Sequence, residues 1–412
     1  MSETKSKKYQ YLLYLILLLL TAFAFAKVGE NGDFIGYTNA GDLVLSKGDI
    51  FSDMFNTWPP AFSIMAVPLA IVNAWSFVLV RILWICFMFF CYFYVIKSSI
   101  ELLEQQKLTY GSLFKTYLIK PYYLLALFIS CRAFMDNLIY MQINIVMLAA
   151  CLYVLNALQT NKYTLASILL GLSIGAKVYN IMLLPVLLVF RKWRLLLWIL
   201  LGLGFSFALC YIVFGIDLSH AYFQTWYHKI ASAKHTIEHR NQSLISGLTR
   251  LFSNENITVN QFNPITNLEA SSIHKIQLAV IATCGLVYLS LFYALIVKAP
   301  TKLVIHTCIL VLVFIPIIVP ISWKANYIYG LPAFFILCQA IAVQGASKRT
   351  TYLFVMAALA LCLSNEALIG RAGMYFLENL NVLIIGEFFL FFSLLSWMHE
   401  LKQREFYIVE AQ

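Results

Sequence analysis

The sequence predicts an all-α polytopic membrane protein, with about 12 transmembrane helices and two long outer loops. Of its 412 residues, 61% are hydrophobic and only 12% are charged, whereas soluble domains are roughly 45–50% apolar and about 25% charged. Apolar runs recur along the whole chain, and one membrane crossing needs about 20 such residues. The composition therefore excludes an ordinary water-soluble enzyme.

Twelve apolar runs, each bounded by charged or turn residues, are expected to be helices. The runs at 163–176 and 180–190 are short for a bilayer, so they form either two crossings or one re-entrant hairpin. We expect the whole chain, 1–412, to be a single integral membrane domain. The runs fall at 9–26, 74–95, 118–131, 138–158, 163–176, 180–190, 195–214, 275–297, 303–319, 327–343, 352–363 and 380–397.

The charges indicate how the chain is oriented. The formal net charge of +10 comes from 29 Lys and Arg against 19 Asp and Glu. With a cytoplasmic N-terminus, most basic residues fall on the inner side, as the positive-inside rule requires, and most acids fall outside. The basic excess therefore reflects topology and argues against nucleic-acid binding. We expect both termini in the cytoplasm and the polar chemistry on the outer face.

The first helix also imitates a cleavable signal peptide, because lysines precede it and small residues end it. Its apolar stretch at 9–26 is longer than the roughly 7–15 residues of a signal peptide and favours a retained helix. Two outer segments, 27–73 and 215–274, are too long to be simple connectors. The first contains Trp58-Pro59-Pro60 and then an apolar stretch at 61–72 that we expect to lie on the outer membrane surface.

The cysteines and histidines do not predict a metal site. The nine cysteines lie almost entirely in apolar runs and form no CxxC pair, which is typical of small buried residues. His235 and His239 could share one helix face, but no carboxylate or cysteine completes a ligand set near them. We therefore expect neither a bound metal nor disulfides.

Asp33, in the first outer loop, is the candidate general base. A carboxylate that is partly desolvated near the membrane surface has a raised pKa, which suits it to take a proton from a hydroxyl. The competing interpretation is a solvated loop acid, or a cap for a helical stretch at 37–45.

Four basic residues near the outer membrane level are candidate ligands for a phosphate, because charge is costly there and usually functional. These are Arg81, Arg132, Lys177 and Lys324. Arg81 could instead extend outward along its helix toward the membrane surface. Arg132 could instead pair with Asp136, four residues later.

Polar residues inside apolar runs are the remaining candidates. Gln142 and Asn144 could bind the hydroxyls of a ligand, or could bridge neighbouring helices. Glu387 is an isolated acid in a late helix, so it is either a partner for a cation or proton, or a hydrogen-bonding group within the bundle.

Several segments, in order along about residues 30–335, resemble glycosyltransferase family 87. This family comprises GT-C-type membrane enzymes, typified by polyprenyl-phosphate-mannose-dependent alpha-mannosyltransferases of the bacterial cell envelope. Each segment is short, but their order on a matching topology is fairly specific. They are 32–41 (GDFIGYTNAG) with Trp58-Pro59-Pro60, Gln142-Ile143-Asn144, 171–177 (GLSIGAK), 191–194 (RKWR), Asn241-Gln242-Ser243-Leu244, and Pro320-Ile321-Ser322-Trp323.

The resemblance implies a metal-independent enzyme of the bacterial plasma membrane that works on its outer face. It would transfer mannose, or another hexose or pentose, with inversion. The donor would be a polyprenyl-phosphate sugar, and the acceptor a hydroxyl of a glycolipid or glycan. No cofactor besides this lipid-linked co-substrate is implied, and the oligomeric state stays open.

The resemblance also implies roles for particular residues. Asp33 matches the family's first-loop catalytic aspartate and would act as the base. Positive side chains would bind the leaving phosphate, and polar or aromatic side chains of the matching segments would bind the donor sugar. The phosphate ligands would be Lys177 and Lys324, with Arg132 behind them, and the sugar ligands Asn241, Gln242, Tyr37, Gln142, Asn144 and Trp323.

The chain departs from the family pattern at three places. Met141 replaces a usual glycine, Asn180 replaces a usual proline, and Ala325-Asn326 stands where paired histidines are common. The last change indicates a different sugar or an inactive relative. The rival function is a transporter or flippase of a lipid-linked sugar, which would carry ionisable residues along a path through the bilayer midplane. A third possibility is an assembly partner without catalysis, for which Asp33 would be replaceable.

Overall fold

The computed structural model describes residues 3–26, 28–29, 32–53, 56–160, 162–231, 241–253, 266, 268–296 and 301–410. Within these ranges the chain forms helices, turns and loops and contains no strand. The predicted all-α class is therefore confirmed for the described residues. The chain divides into two compact units, which we call unit 1 (Met1–Lys120 and Phe134–Ala233) and unit 2 (Pro121–Ala133 and Lys234–Gln412). This division does not test the expectation of one integral membrane domain.

Unit 1 contains most of the first twelve α-helices. They are α1 (Glu3–Ala26), α2 (Asp33–Leu45), α3 (Pro60–Met65), α4 (Val67–Trp75), α5 (Phe77–Glu104), α6 (Tyr110–Ser112), α7 (Pro121–Ile139), α8 (Asn144–Thr160), α9 (Thr164–Ala176), α10 (Leu183–Val189), α11 (Trp193–Phe214) and α12 (Ile216–Ala231). A π-helical turn at Leu113–Tyr117 follows α6, and a 3-10 helix at Val178–Met182 precedes α10. The first part of α7 belongs to unit 2.

Unit 2 contains the remaining helices. They are α13 (Leu244–Phe252), α14 (Ala270–Ile296), α15 (Thr301–Ile318), α16 (Leu331–Ala342), α17 (Lys348–Leu363), α18 (Glu366–Asn379) and α19 (Val382–Glu410). A 3-10 helix at Lys324–Gly330 leads directly into α16. Gly370 interrupts α18 with a left-handed backbone, at φ 71°.

Seven helical segments among the described residues are long and apolar enough to cross a membrane, and an eighth is possible if the bent pair α17 and α18 is one span. The other apolar helices are shorter, at 10–17 residues. Twelve crossings and the orientation of the chain therefore stay predictions. The seven are Lys7–Ala26, Phe77–Glu104, Pro121–Ile139, Trp193–Phe214, Ser271–Leu289, Lys324–Ala342 and Val382–Arg404.

One predicted boundary is wrong in a way that affects the site. The sequence predicts helices at 118–131 and 138–158, with a loop between them. Instead, α7 continues to Ile139, and the chain breaks at 140–143 before α8 begins at Asn144. Gln142 therefore lies in a break between two helices and not within one.

The first outer loop, predicted at 27–73, is largely helical. It contains α2, α3 and α4, and the first four residues of α3 are buried in unit 1. Helix α4 keeps an exposed apolar face, including Ile71 and Trp75. Contact of the predicted 61–72 stretch with the membrane surface stays a prediction. In the second loop, predicted at 215–274, the described part contains α12 and α13, whereas His235 and His239 lie outside the described residues.

The backbones of helices α9 and α11 are in close contact, because each helix has a glycine that faces the other. A β-carbon at Gly171 would overlap the carbonyl oxygen of Ile199, and one at Gly202 would overlap that of Ile168. Such small residues allow close packing of apolar helices where the hydrophobic effect between them is weak. This contact fixes the end of α9, where Lys177 follows.

We expect Gly202→Ala to destabilise unit 1 by about 1–3 kcal/mol, because the backbone of α9 cannot yield to the added methyl group. Gly204→Ala is the matched control, since it lies on the same helix and has nothing within 4 Å of an added β-carbon. Thermal unfolding in detergent measures both. Equal melting temperatures for the two variants would contradict the close α9–α11 contact.

Candidate functional site

Asp33 is the first residue of α2, and the close approach of another segment fixes its position. Its backbone N–H donates to the carbonyl of Tyr140 at 3.0 Å. A β-carbon at Gly32 would lie 2.6 Å from that same carbonyl oxygen, so only glycine fits there. A carboxylate in the first helical turn is also favoured by the helix dipole. The start of α2 therefore holds Asp33 beside the break between α7 and α8.

The break at 140–143 has an unusual backbone. Met141 adopts a left-handed conformation, at φ 50°, which is costly for a residue with a side chain. The indole of Trp84 donates to the carbonyl of Met141 at 3.0 Å, and the N–H of Gln142 donates to Asn137 at 2.9 Å. The family usually has glycine at this position, and the left-handed backbone explains that preference, because glycine adopts it without steric cost.

Tyr37 holds this break from the side of α2. It is 0% exposed, and its hydroxyl accepts a hydrogen bond from the N–H of Ile143 at 3.2 Å. Its ring packs against Trp58 and Phe62, with centroid distances of 4.9 and 5.1 Å. The Trp58-Pro59-Pro60 motif thus packs beneath Tyr37. Tyr37 is therefore a buried support for the break, and its role in binding a sugar stays a prediction.

Four polar side chains of unit 1 form one continuous hydrogen-bonded chain. Lys177 Nζ donates to Asn144 Oδ1 at 2.6 Å, and Asn144 Nδ2 donates to Gln142 Oε1 at 3.1 Å. Gln142 Nε2 in turn donates to Asp33 Oδ2. Gln142 and Asn144 are buried, whereas Asp33 and Lys177 are half-buried. Four residues that were predicted separately therefore belong to one arrangement.

Burial shifts both charged ends of this chain. It raises the pKa of Asp33 from 3.8 to about 6, and the positive charge of Lys177 opposes part of that rise. It lowers the pKa of Lys177 from 10.5 to about 8, and the Asp33 carboxylate opposes part of that fall. Near neutral pH, Asp33 is mostly ionised but is a much stronger base than an ordinary carboxylate.

In unit 2, Glu378 brings two of the predicted cations together. Its side chain is 0% exposed and forms an ion pair with Lys324, while Arg132 Nη2 lies 4.0 Å from Glu378 Oε1. Both cations also contact the sulfur of Met374, at 3.6 Å from Lys324 and 3.8 Å from Arg132. Two cations therefore face this one buried carboxylate, and we call the three residues the basic cluster. Sequence reasoning missed Glu378 as its centre.

Asn241 and Gln242 connect backbone segments within unit 2. Asn241 Oδ1 accepts from the N–H of Ser322 at 3.0 Å, and Gln242 Nε2 donates to the carbonyl of Glu378 at 2.9 Å. Arg250 is also fully buried and donates to the carbonyl of Asn241 at 2.7 Å. These contacts describe a scaffold around the basic cluster.

The segment after Pro320 forms another wall of unit 2. Trp323 is half-buried and precedes the 3-10 helix Lys324–Gly330. Ala325 and Asn326, where the family often has histidines, are both buried, and Asn326 Nδ2 donates to the carbonyl of Ile321 at 3.3 Å. Ile321, Trp323 and Lys324 are therefore the partly accessible residues at the start of this segment.

The sequence-predicted residues fall into two groups, one in each unit. Unit 1 contains Asp33, Tyr37, Gln142, Asn144 and Lys177, and unit 2 contains Arg132, Asn241, Gln242, Trp323 and Lys324. Among the described residues, no group of three His, Cys, Asp or Glu could hold a metal ion. Metal independence stays a prediction.

Comparison with known proteins identifies a family. The model of glycosyltransferase family 87 matches residues 56–320, which is more than half of the chain. Asp33 and Lys324 lie outside the matched range. No protein of curated function and no solved structure is significantly similar to the chain.

Proposed function

The chain belongs to glycosyltransferase family 87, and we propose that it transfers a sugar from a polyprenyl-phosphate donor to an acceptor hydroxyl, with inversion. The sugar is mannose or another hexose or pentose, and the acceptor is a glycolipid or glycan. The reaction takes place on the outer face of a bacterial plasma membrane and needs no metal. The observation that carries the proposal is Asp33, a half-buried carboxylate with an oriented partner and a raised pKa.

Asp33 has the properties of a general base for a hydroxyl. A base works best when its pKa lies near the operating pH, because it is then both ionised and basic. The pKa of about 6 at Asp33 meets this condition. As the acceptor oxygen attacks the anomeric carbon, its proton passes to Asp33. The bond from that carbon to the phosphate oxygen breaks, and the electron pair leaves with the phosphate. Attack opposite the leaving group inverts the configuration.

The basic cluster of unit 2 supports a role in binding the donor phosphate. Glu378 holds Lys324 and Arg132 side by side, so that two cations are positioned at one place. Cations placed beforehand at a developing negative charge stabilise a transition state strongly. Trp323 adjoins this cluster in sequence and keeps its proposed role in binding the donor sugar. Asn241, Gln242 and Tyr37 each form hydrogen bonds within the protein, which favours a scaffold role for them.

The contacts of Lys177 favour a role beside the base, Asp33, over a role in binding the donor phosphate. Its ammonium donates to Asn144 and acts electrostatically on Asp33. In an inverting displacement, the base and the leaving group lie on opposite faces of the sugar. A cation that is coupled to the base is therefore poorly placed to bind the departing phosphate, so we reassign Lys177 to the charge balance of Asp33.

One observation favours the alternative of a transporter or flippase. Glu387 lies in the candidate span Val382–Arg404 and is 0% exposed. Neither of its carboxylate oxygens has a hydrogen-bond partner among the described residues. A buried ionisable residue within a membrane span is a recognised mark of ion or proton pathways.

Purified protein in liposomes distinguishes the two functions. Polyprenyl-phosphate sugars are supplied in the bilayer, and two quantities are measured: radiolabelled sugar in the acceptor, and protection of the donor from a membrane-impermeant oxidant. The proposal predicts transfer to the acceptor with no change in the sidedness of the donor. Loss of sidedness without any transfer would favour the transporter.

The rate of transfer is expected to fall as the pH is lowered through about 6. Below that pH, Asp33 is protonated and cannot accept the proton of the acceptor. The acid limb of kcat/KM reports the pKa of the base in the free enzyme. An acid limb at about pH 4, where an ordinary carboxylate titrates, would contradict a base whose pKa is raised by burial.

A further inference from the structure

The hydrogen-bonded chain from Lys177 to Asp33 can run in only one direction. An ammonium carries only donors, so the oxygen of Asn144 must face Lys177. The amide nitrogen of Asn144 then faces Gln142, whose oxygen accepts from it. The nitrogen of Gln142 is left to donate to Asp33. Reversal of either amide would place two donors or two acceptors against each other.

We propose that Gln142 and Asn144 are positioning residues that orient the Asp33 carboxylate through this one-way chain, and that they do not bind the sugar. The inference rests on the proposed function, in which Asp33 is the base. Gln142 is 2% exposed and Asn144 is 0% exposed, and both polar ends of each amide are used within the chain. Because both amides are buried and already oriented by this chain, little of their polar surface is left for a sugar hydroxyl.

The chain determines which oxygen of Asp33 takes the proton. Gln142 Nε2 donates to Oδ2, so this oxygen is occupied by a hydrogen bond. Oδ1 is then the oxygen that accepts the acceptor's proton. The break between α7 and α8 supplies the necessary geometry, because Gln142 and Asn144 come from residues that no continuous helix would place side by side.

The chain also keeps Asp33 ionised. A donor that faces a carboxylate favours its charged form, and the charge of Lys177 acts in the same direction. The other ionisable groups near Asp33 are Tyr37 on its own helix and Tyr179 after α9, and the charge of Asp33 raises the pKa of both tyrosines. Burial raises the pKa of Tyr37 well above 10, so it stays neutral while Asp33 titrates. Removal of the chain should therefore let Asp33 hold its proton to a higher pH.

Asn144→Leu breaks the hydrogen-bonded chain at Asn144, which is linked to Asp33 only through Gln142. We expect kcat to fall roughly 10- to 100-fold, the loss typical for a hydrogen bond that supports a charged group. The KM for the donor should stay unchanged, and the acid limb of the pH profile should move to higher pH. Asn144→Asp should behave alike, because it can still accept from Lys177 but cannot donate to Gln142.

Asn156→Leu is the matched control. Asn156 lies on the same helix and is equally buried, and its amide donates to the carboxylate of Glu101 at 3.3 Å. The substitution Asn156→Leu removes a comparable hydrogen bond at a place remote from Asp33. We expect its kcat and pH profile to match those of the wild type. An equal loss of kcat and an equal shift in both leucine variants would overturn the inference, since destabilisation alone would then explain the effect.

A second readout needs no activity. A water-soluble carbodiimide modifies protonated carboxyl groups, and mass spectrometry follows modification of Asp33 against pH. The midpoint should rise in Asn144→Leu and Asn144→Asp but stay in place in Asn156→Leu. An unchanged midpoint in all variants, or a raised donor KM with kcat retained in Asn144→Leu, would overturn the positioning role. If the wild type transfers nothing, the proposed function fails, and the midpoints still decide whether the chain controls Asp33.

Discussion

Asp33→Asn is expected to lower sugar transfer by about 10²–10⁴-fold, the usual contribution of a general base. Asparagine keeps the shape of the side chain, but its amide takes no proton from the acceptor at this pH. Donor binding should persist, because the residues proposed to bind the donor belong to other segments. Transfer of radiolabelled sugar and retention of the donor in detergent measure the two effects separately.

Asp42→Asn is the matched control for this substitution. Asp42 lies on the same helix, α2, but is exposed. It is expected to transfer sugar at the wild-type rate. Unchanged transfer in Asp33→Asn would leave the assignment as a glycosyltransferase intact but would show that Asp33 is not the base. Equal losses in both variants would indicate that the substitutions disrupt helix α2.

Lys324→Met is expected to lower transfer by about 10²–10³-fold, comparable to the loss of one preorganised donor at a developing charge. It should also destabilise unit 2 by about 3–5 kcal/mol, because the buried Glu378 carboxylate loses its closer ion-pair partner and keeps only Arg132 at 4.0 Å. Arg371→Met is the matched control. Arg371 pairs with Glu366 on the same helix as Glu378, but both side chains are exposed, and such pairs contribute about 0–1 kcal/mol.

A double variant separates the two effects of Lys324. Lys324→Met with Glu378→Gln removes both charges and so should regain much of the lost stability. Its transfer activity should stay low, because the cation for the phosphate is still absent. If transfer returns together with thermal stability, Lys324 supports the fold alone and the proposed phosphate role is wrong.

The class of fold follows from the sequence because apolar runs report burial in lipid regardless of tertiary detail. Helix α5, for example, occupies Phe77–Glu104, and the apolar run at 74–95 predicts it. The break before α8 is different. The residues at 138–158 are apolar enough for one helix, and only the contacts of Tyr140, Met141 and Ile143 with α2 and α5 interrupt it.

The candidate residues could be named from the sequence, but their partners could not. Asp33, the pair Gln142 and Asn144, and Lys177 are far apart along the chain, and no spacing rule joins these three places. The left-handed backbone at Met141 had one indirect signal, which was the glycine usual at that position in the family. No sequence signal identified Glu378, because the sequence around an acid in a predicted outer segment does not show whether its side chain is solvated or buried in an ion pair.

The most direct test of the central claim is the anomeric configuration of the product that the purified wild-type protein forms from a polyprenyl-phosphate sugar of known configuration. Nuclear magnetic resonance of the isolated product determines it. With Asp33 as the base in a single displacement, the product has the opposite configuration to the donor. A product with retained configuration would contradict that mechanism, and the absence of product from every polyprenyl-phosphate sugar would contradict the proposed donor class.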